Sequence, residues 1–450
     1  MIQTDMCIIG CGVSGISMSR TCKANNLRYV SLEKEDAIGG CWYTKSYENI
    51  ILQTTKESYA FHDMPMSKET KLYPSGISIL NYLHSYVKKY KLLDNIIFNS
   101  EVIDIEKKGE YHRIKYKHSH SGVVNIVISK YISICSGFYT TPKYPKEIGN
   151  INKSYIKHII DFSPKSKDPV YDFKDKSVVI IGNGPSGCDL AVLAIEKGAK
   201  DVSLLYRSPK WIFTRYFGNI GLNFFTNRLF LWLGLKLPIT LFITILYLLF
   251  FIPYYAFGNN VNLELPSEIV NRNNITLNEK FILYLNNNKF KYIKIDSFQL
   301  DSNQITYKTT KGQHIKTFDL LTCCTGYNIG IPFMNRKKIP VLYKKCLDPI
   351  DPTIAYIGFS PSFNWVQVSD LQSRWFVYLI TNKSIPNTQE RLKYIKRDLK
   401  ENMGYPFEFY DLAYLSYIYS DDLARDMNIY PKSKKDWMHW LKVAKYNEWS

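Results

Sequence analysis

Two glycine-rich turns, each placed directly after a short apolar run, constrain this chain more than any other feature. The first is Gly10-Cys11-Gly12-Val13-Ser14-Gly15 after Met6-Cys7-Ile8-Ile9, and the second is Gly182-Asn183-Gly184-Pro185-Ser186-Gly187 after Val178-Val179-Ile180-Ile181. A single hexapeptide of this kind arises by chance in a long chain. Two of them, each between a buried-strand pattern and a helical pattern, point to two bound dinucleotides. The predicted class is therefore α/β, with two Rossmann-like dinucleotide-binding domains. A protein that holds two dinucleotides usually moves electrons from one to the other.

The flanking pattern supports this plan. Val13 to Ala24 reads as a helix, and Arg28-Tyr29-Val30-Ser31-Leu32 as a strand that ends in Glu33. The same order returns with a helix from Pro185 to Glu196 and a strand Val202-Ser203-Leu204-Leu205-Tyr206 that ends in Arg207. Ile132-Ser133-Ile134-Cys135-Ser136-Gly137 and Leu320-Leu321-Thr322-Cys323-Cys324-Thr325-Gly326-Tyr327 are alike, each an apolar strand ending in a small hydroxyl residue and a glycine. Each closes one unit. The expected boundaries are 1–165 with 325–450 for the first unit, 170–324 for the second, and an apolar insertion over 215–260 within the second.

The two strand ends carry opposite charge, and that difference assigns the ligands. In the first turn Gly10 permits the sharp bend, Gly12 lets the backbone reach phosphate, and Gly15 lets the helix pack on the strand. The helix N-terminus beginning at Val13 and Ser14 adds its partial positive charge. A carboxylate at Glu33 accepts both ribose hydroxyls and disfavours a 2′-phosphate, so the first ligand is expected to be FAD or NAD. The alternative is that Glu33 is merely a solvated strand end. Gly39-Gly40-Cys41-Trp42 follows, and two glycines before an aromatic residue suit a loop pressed against a large flat cofactor. In this position it is the usual continuation of an FAD site. Gly182, Gly184, Pro185, Ser186 and Gly187 repeat the phosphate turn. Arg207 stands where the first unit has Glu33, and a guanidinium pairs with a 2′-phosphate through two parallel hydrogen bonds. Ser208 adds a hydroxyl. The second ligand is accordingly expected to be NADPH, unless Arg207 is an unpartnered surface residue.

Composition narrows the remaining classes. With 46% hydrophobic and 22% charged residues over 450 positions, the chain is globular and long enough for two cores. The formal charge of +18 comes from lysines scattered among Asn, Ile and Tyr, without a compact basic block. The excess reads mainly as compositional drift toward Lys, Ile, Asn and Tyr, with attraction to a membrane surface second and nucleic acid not an expected partner. None of the nine cysteines forms a Cys-x-x-Cys pair, so neither a metal ribbon nor a thioredoxin-type centre is signalled. That spacing also argues against a dinucleotide-dependent disulfide reductase, which needs a cysteine pair beside the flavin. The first strand begins close to Met1, and the expected compartment is the cytoplasm.

One segment stands apart. Leu237 to Phe257 contains no charged residue. Pro238 and Pro253 bracket it and leave the run between them short of the roughly 20 residues that a spanning helix needs. A single crossing would also split one sheet across a bilayer. Two readings remain: a buried helical hairpin, or an apolar segment dipping into one leaflet or roofing a lipophilic channel, which would place the chain peripherally on the cytoplasmic face of a membrane.

Together these residues resemble the flavin-containing monooxygenase family, the class that includes plant auxin-forming and Baeyer–Villiger relatives. The resemblance rests on the Gly10–Gly15 turn, Leu32-Glu33 through Trp42, Gly182 to Asp189, Arg207-Ser208-Pro209 with Trp211, Cys324-Thr325-Gly326-Tyr327, Leu371-Gln372-Ser373-Arg374-Trp375 and Asp421-Asp422-Leu423-Ala424. It covers nearly the whole chain and implies FAD in the first site, NADPH in the second, and dioxygen and a small molecule as substrates. The implied reaction oxygenates a soft nucleophile, an amine or sulfide, through a flavin hydroperoxide. Two departures stand out. In the family's linker fingerprint, His158 and Phe162 fit, but Asn152 and Ser154 replace the Phe and Gly; Phe162 instead of Trp leans away from Baeyer–Villiger members. The family's active-site Asn falls on Gln53, the candidate catalytic residue, which keeps the amide and adds a methylene. The alternatives are Baeyer–Villiger oxygenation of a carbonyl, or a divergent, non-catalytic flavoprotein of the same fold.

Overall fold

A computed structural model describes residues 1–139, 141–149, 154–166, 172–217, 220–221, 237, 241, 248, 275–334, 339–360, 364–402 and 417–429. Nearly all of the apolar 215–260 insertion, and Asn152 of the linker, lie outside the described residues. Among the described residues no helix is long and apolar enough to cross a membrane.

The expected α/β class holds, with two largely parallel sheets. In the first unit, β1 (Ile2–Ile9), α1 (Val13–Ala24) and β2 (Tyr29–Leu32) form the opening βαβ element, followed by helices α2 (Cys41–Thr44) and α3 (Gly76–Lys89). Strands β3 (Ile96–Ile97), β4 (Ser100–Lys108), β5 (Tyr111–His118) and β6 (Val124–Ile134) complete a sheet of order β3-β2-β1-β6-β5-β4. Met6, Cys7, Ile8 and Ile9 on β1 are at most 4% exposed, as expected for a central strand covered on both faces. In the second unit, β7 (Ile156–His158), β8 (Ser177–Ile181), α4 (Pro185–Glu196), β9 (Asp201–Tyr206), α5 (Glu279–Asn286), β10 (Lys291–Lys294) and β11 (Leu320–Cys323) give an all-parallel sheet of order β10-β9-β8-β11-β7. The chain then returns to the first sheet, where β12 (Ile354–Tyr356) pairs in parallel with β6.

The two turns are built from the same contacts. Gly10 N–H donates to the Leu32 carbonyl at 2.8 Å, and Gly182 N–H donates to the Leu205 carbonyl at 2.9 Å. Cys135 N–H reaches Ile9 O at 2.9 Å, and Cys324 N–H reaches Ile181 O at 2.8 Å, so the similar closing strands hold equivalent places. Gly10 and Gly182 have φ of +98° and +106°, which L side chains rarely adopt. At Gly15 a Cβ would lie 1.8 Å from Gly10 O, and at Gly187 1.9 Å from Gly182 O. Only glycine lets each helix seat against its own turn.

Helix α1 is unusually polar for a buried element. Ser19 Oγ donates to Gly15 O at 2.8 Å and Thr21 Oγ1 to Ser17 O at 2.9 Å, which satisfies hydroxyls that would otherwise be costly inside. Helix α6 (Trp365–Thr381) packs on α1, and Ser17 Oγ donates to Asp370 Oδ1 across that contact at 3.0 Å. Behind α6 lies a core that includes Met18, Leu371, Trp375 and Phe376, joined by Tyr419 and Leu423 of α7 (Tyr419–Asp426). Asp426 of α7 accepts from Trp375 Nε1 at 2.8 Å and pairs with Lys344 at 2.7 Å. The closing segment therefore locks the helix that supports the first turn.

Candidate cofactor sites and the seam between them

The first site is a preformed cradle. Gly12 is the N-cap of α1, Gly184 the N-cap of α4, and no side chain caps either helix, so backbone donors and the positive helix end face an incoming anion. Val13 and Ser14 open α1, and Ser14 Oγ lies 3.2 Å from Ser369 Oγ on α6. Gly12 and Gly40 press together: a Cβ on Gly40 would meet Gly12 Cα at 3.0 Å, and Gly39 N–H donates to Cys11 O at 3.0 Å. Gly40, the N-cap of α2, is thereby fixed against the turn, and Cys41 and Trp42, expected in a loop, open that short helix. Trp42 is oriented in addition by donation from its Nε1 to Tyr59 Oη at 2.7 Å.

Glu33 is 4% exposed, which sets aside the solvated strand end. Its Oε2 accepts from Cys11 N–H at 2.5 Å and its Oε1 from Glu35 N–H at 3.0 Å. Burial raises its pKa, and these two backbone donors pull the other way. Each carboxylate oxygen keeps lone-pair capacity for a further donor, which is what a ribose diol requires. The donor and acceptor chemistry of this cradle fits the adenosine and pyrophosphate of FAD.

The second site is more open. A Cβ on Gly184 would meet nothing within 4 Å, which leaves the turn clear for close approach by phosphate. Pro185 occupies the first helical position, where its missing N–H is no loss. Asn183 Nδ2 donates to Ser208 O at 3.0 Å and to Tyr292 Oη at 2.9 Å, fixing the strand end that carries Arg207 and Ser208. Both of those residues are exposed. Arg207 is not unpartnered: its Nη2 pairs with Glu147 Oε1, and its guanidinium lies 5.8 Å from the centroid of the Phe298 ring.

Between the two turns runs a hydrogen-bonded seam. Tyr47 Oη donates to Asp189 Oδ2 at 2.9 Å and reaches Ser186 Oγ at 3.4 Å, while Asn278 Nδ2 donates to Asp189 Oδ1 at 2.7 Å. Asp189 is 8% exposed, and burial pushes its pKa up to about 6 against the lowering effects of Tyr47, Arg215 and Asn278. Gln53 Oε1 accepts from Leu277 N–H at 2.7 Å, and Gln53 Nε2 donates to Leu277 O at 3.3 Å. Both ends of its amide are thus engaged by backbone of the second unit. Arg215 adds a bond to Leu52 O at 3.4 Å and an ion pair with Glu279 at 2.8 Å.

His158 closes the other side. Its Nε2 donates to Gly326 O at 3.0 Å and its Nδ1 accepts from Ile160 N–H at 3.4 Å, a neutral tautomer consistent with burial lowering its pKa to about 4. Its ring meets that of Tyr327 edge-on with centroids 5.0 Å apart, and Lys45 Nζ lies 4.7 Å from the Tyr327 centroid. Burial lowers the Lys45 pKa to about 8.

Tyr47, Asn278 and Leu277 escaped the sequence reading. Asn278 carried one usable signal: an Asn directly before Glu279-Lys280-Phe281 is an N-cap pattern, and its Oδ1 does accept from Phe281 N–H at 2.8 Å. All nine cysteines are free, and Cys41 is the one among them that is partly exposed.

A family model for flavin-binding monooxygenase-like proteins matches residues 3–437. The putative flavin-containing monooxygenase 2 of Arabidopsis thaliana is 23% identical over 470 residues, covering 94% of this chain and 97% of that protein. In fold the chain is similar to an open crystal structure of cyclohexanone monooxygenase, with a TM-score of 0.74 at 14% identity over 95% of this chain and 98% of that one. It is also similar to S-allyl-L-cysteine S-oxygenase from Allium sativum, with a TM-score of 0.66 at 18% identity over 98% and 92% of the two chains. The chain belongs to the flavin-binding monooxygenase-like family and is a flavoprotein oxidoreductase.

Proposed function

We propose that this chain is a monooxygenase that uses NADPH and dioxygen to place one oxygen atom on a soft nucleophile, an amine or a sulfide, with the second oxygen leaving as water. Its cofactors are FAD and NADPH. The observation that carries the assignment is the pair of turns with matching backbone contacts and opposite strand-end charge, Glu33 at one and Arg207 at the other. Hydride transfer and activation of dioxygen are the chemistry that bound FAD and NADPH supply.

The residues of the chain bind and orient. Gly10, Gly12 and Gly15 bring backbone to the FAD pyrophosphate, Glu33 takes its ribose, and Gly40, Cys41 and Trp42 border the flavin side. Gly182, Gly184, Pro185, Ser186 and Gly187 do the same for NADPH, with Arg207 and Ser208 at its 2′-phosphate. Gln53 acts as a positioning residue: its amide ties the flavin-side loop to Leu277 of the second unit. The seam sets how the two cofactors face each other, and a displacement of about 1 Å in such an arrangement can cost a hundredfold in rate.

The test is reduction of the purified yellow protein by NADPH without air, followed by oxygen uptake with an amine, a sulfide and a cyclic ketone. N- or S-oxide formation coupled to NADPH consumption is the expected result. Absence of flavin reduction refutes an oxygenase; ester from the ketone with no N- or S-oxide refutes the substrate class.

A further inference from the structure

The side chain that faces the proposed 2′-phosphate anchor is a carboxylate. Arg207 stands at the end of β9, half exposed, and the partner of its Nη2 is Glu147. Glu147 belongs to a single helical turn, Lys146–Ile148, in the segment that joins the two units. That turn is held firmly. Ile148 is 2% exposed and packs with Phe298, Ile295 and Ile305 of the second unit, and Phe298 also lies beneath the Arg207 guanidinium. The chain just before it is fixed by Lys143 N–H donating to Gly326 O at 3.0 Å. Glu147 is therefore delivered to Arg207 by a braced segment and not by a drifting loop.

We infer that Glu147 is a specificity-determining residue, whose carboxylate competes with the NADPH 2′-phosphate for Arg207. This rests on the reading of Arg207 as the 2′-phosphate anchor. Glu147 holds Nη2, one of the two terminal nitrogens that a 2′-phosphate would need for a bidentate pair. When the 2′-phosphate arrives, the pair with Glu147 is given up, and the carboxylate left behind repels the phosphate. NAD has a 2′-hydroxyl in that place and meets neither cost. Glu147 thus narrows the preference for NADPH over NADH below what Arg207 alone would set. The pair is partly solvated, with side chains 52% and 29% exposed, so the exchange is shallow and leaves NADPH the better ligand.

The experiment is titration of the FAD-loaded protein with NADP+ and with NAD+, at fixed ionic strength, on wild type, Glu147→Gln, Arg207→Gln and the double variant. Glu147→Gln should lower the Kd for NADP+ by about threefold to fivefold and change that for NAD+ less than twofold. Arg207→Gln should raise the Kd for NADP+ far more than that for NAD+, and adding Glu147→Gln to it should bring much less improvement. If Arg207→Gln weakens NADP+ selectively while Glu147→Gln changes nothing, or tightens both nucleotides equally, the inference falls and the anchor stands. If Arg207→Gln leaves the NADP+ to NAD+ ratio unchanged, the anchor reading itself fails, and the inference with it.

Discussion

Replacing Asp189 with asparagine should change how the stability of this chain responds to pH, in a direction fixed by the seam. The carboxylate accepts from Tyr47 and Asn278, faces Arg215 and the opposing charge of Glu279, and lies near the Cys188 and Cys324 thiols. Burial dominates and lifts its pKa from 3.8 to about 6. A raised pKa means that the folded state prefers the protonated acid. The stabilisation is whole below the unfolded value near 3.8 and is lost as pH rises through 6. The loss amounts to about 3 kcal/mol, from roughly two units at 1.36 kcal/mol each. Asparagine is the right replacement, because its oxygen still accepts from Asn278, and Tyr47 Oη can turn its proton to Ser186 Oγ, 3.4 Å away. Thermal melts of both FAD-loaded proteins at intervals from pH 4.5 to 7 provide the assay. About 2 kcal/mol of that loss falls between pH 4.5 and 7, and for a chain of this length about 1 °C corresponds to 1 kcal/mol, so wild type should lose about 2 °C relative to the variant across that range. An unchanged difference between the two proteins at pH 4.5 and pH 7 would show that Asp189 titrates as an ordinary carboxylate, and the account of the seam would fail.

Gly184→Ala should leave the fold and FAD content intact, because its Cβ meets nothing within 4 Å, yet raise the Kd for NADP+ at least about tenfold by occupying the phosphate approach. Gly187→Ala, with a Cβ 1.9 Å from Gly182 O, should instead give little folded protein, and equal behaviour of the two variants in a solubility and binding assay would contradict the assigned roles. Gln53→Leu removes both bonds to Leu277 and should cost about 2 kcal/mol of stability together with a marked fall in the rate of flavin reduction by NADPH. Gln53→Glu, which can accept but not donate, should recover part of that rate; full activity in the leucine variant by stopped-flow absorbance would remove the positioning role. His158, with its pKa lowered to about 4, contributes stability that is present above 6.5 and lost as pH falls toward 4. His158→Gln should flatten that acid limb in urea unfolding, and an identical limb would place the acid sensitivity elsewhere.

What was legible in the sequence was what depends on backbone shape. Gly10, Gly15, Gly182 and Gly187 each answer to a steric demand of a few ångströms, so the residue type itself announces the turn. Glu33 was legible for a similar reason, since position on the strand decides what an acid there can touch. The seam was hidden because its partners are distant in the chain and one of them is featureless. Gln53 meets only the backbone of Leu277, and a carbonyl and an N–H carry no signature in a sequence. Asp189 was visible inside its motif, but its burial comes from Tyr47 and Asn278, far away on either side. Arg207 was placed correctly on its strand, whereas Glu147 comes from a linker with no periodic pattern to suggest where it would arrive.

On the proposed assignment, the unequal burial of the two strand-end charges would also set how long each nucleotide stays. Glu33 is enclosed and already bonded to the turn it serves, so a ligand that settles there loses little to reorganisation and leaves slowly. Arg207 stands half in water with Glu147 beside it, so a phosphate leaving it would be replaced by that carboxylate. One nucleotide would thereby be a long-term resident and the other a visitor with a short dwell time. A single flavin can then be served by a succession of nicotinamides, because release at the second turn leaves no bare charge behind.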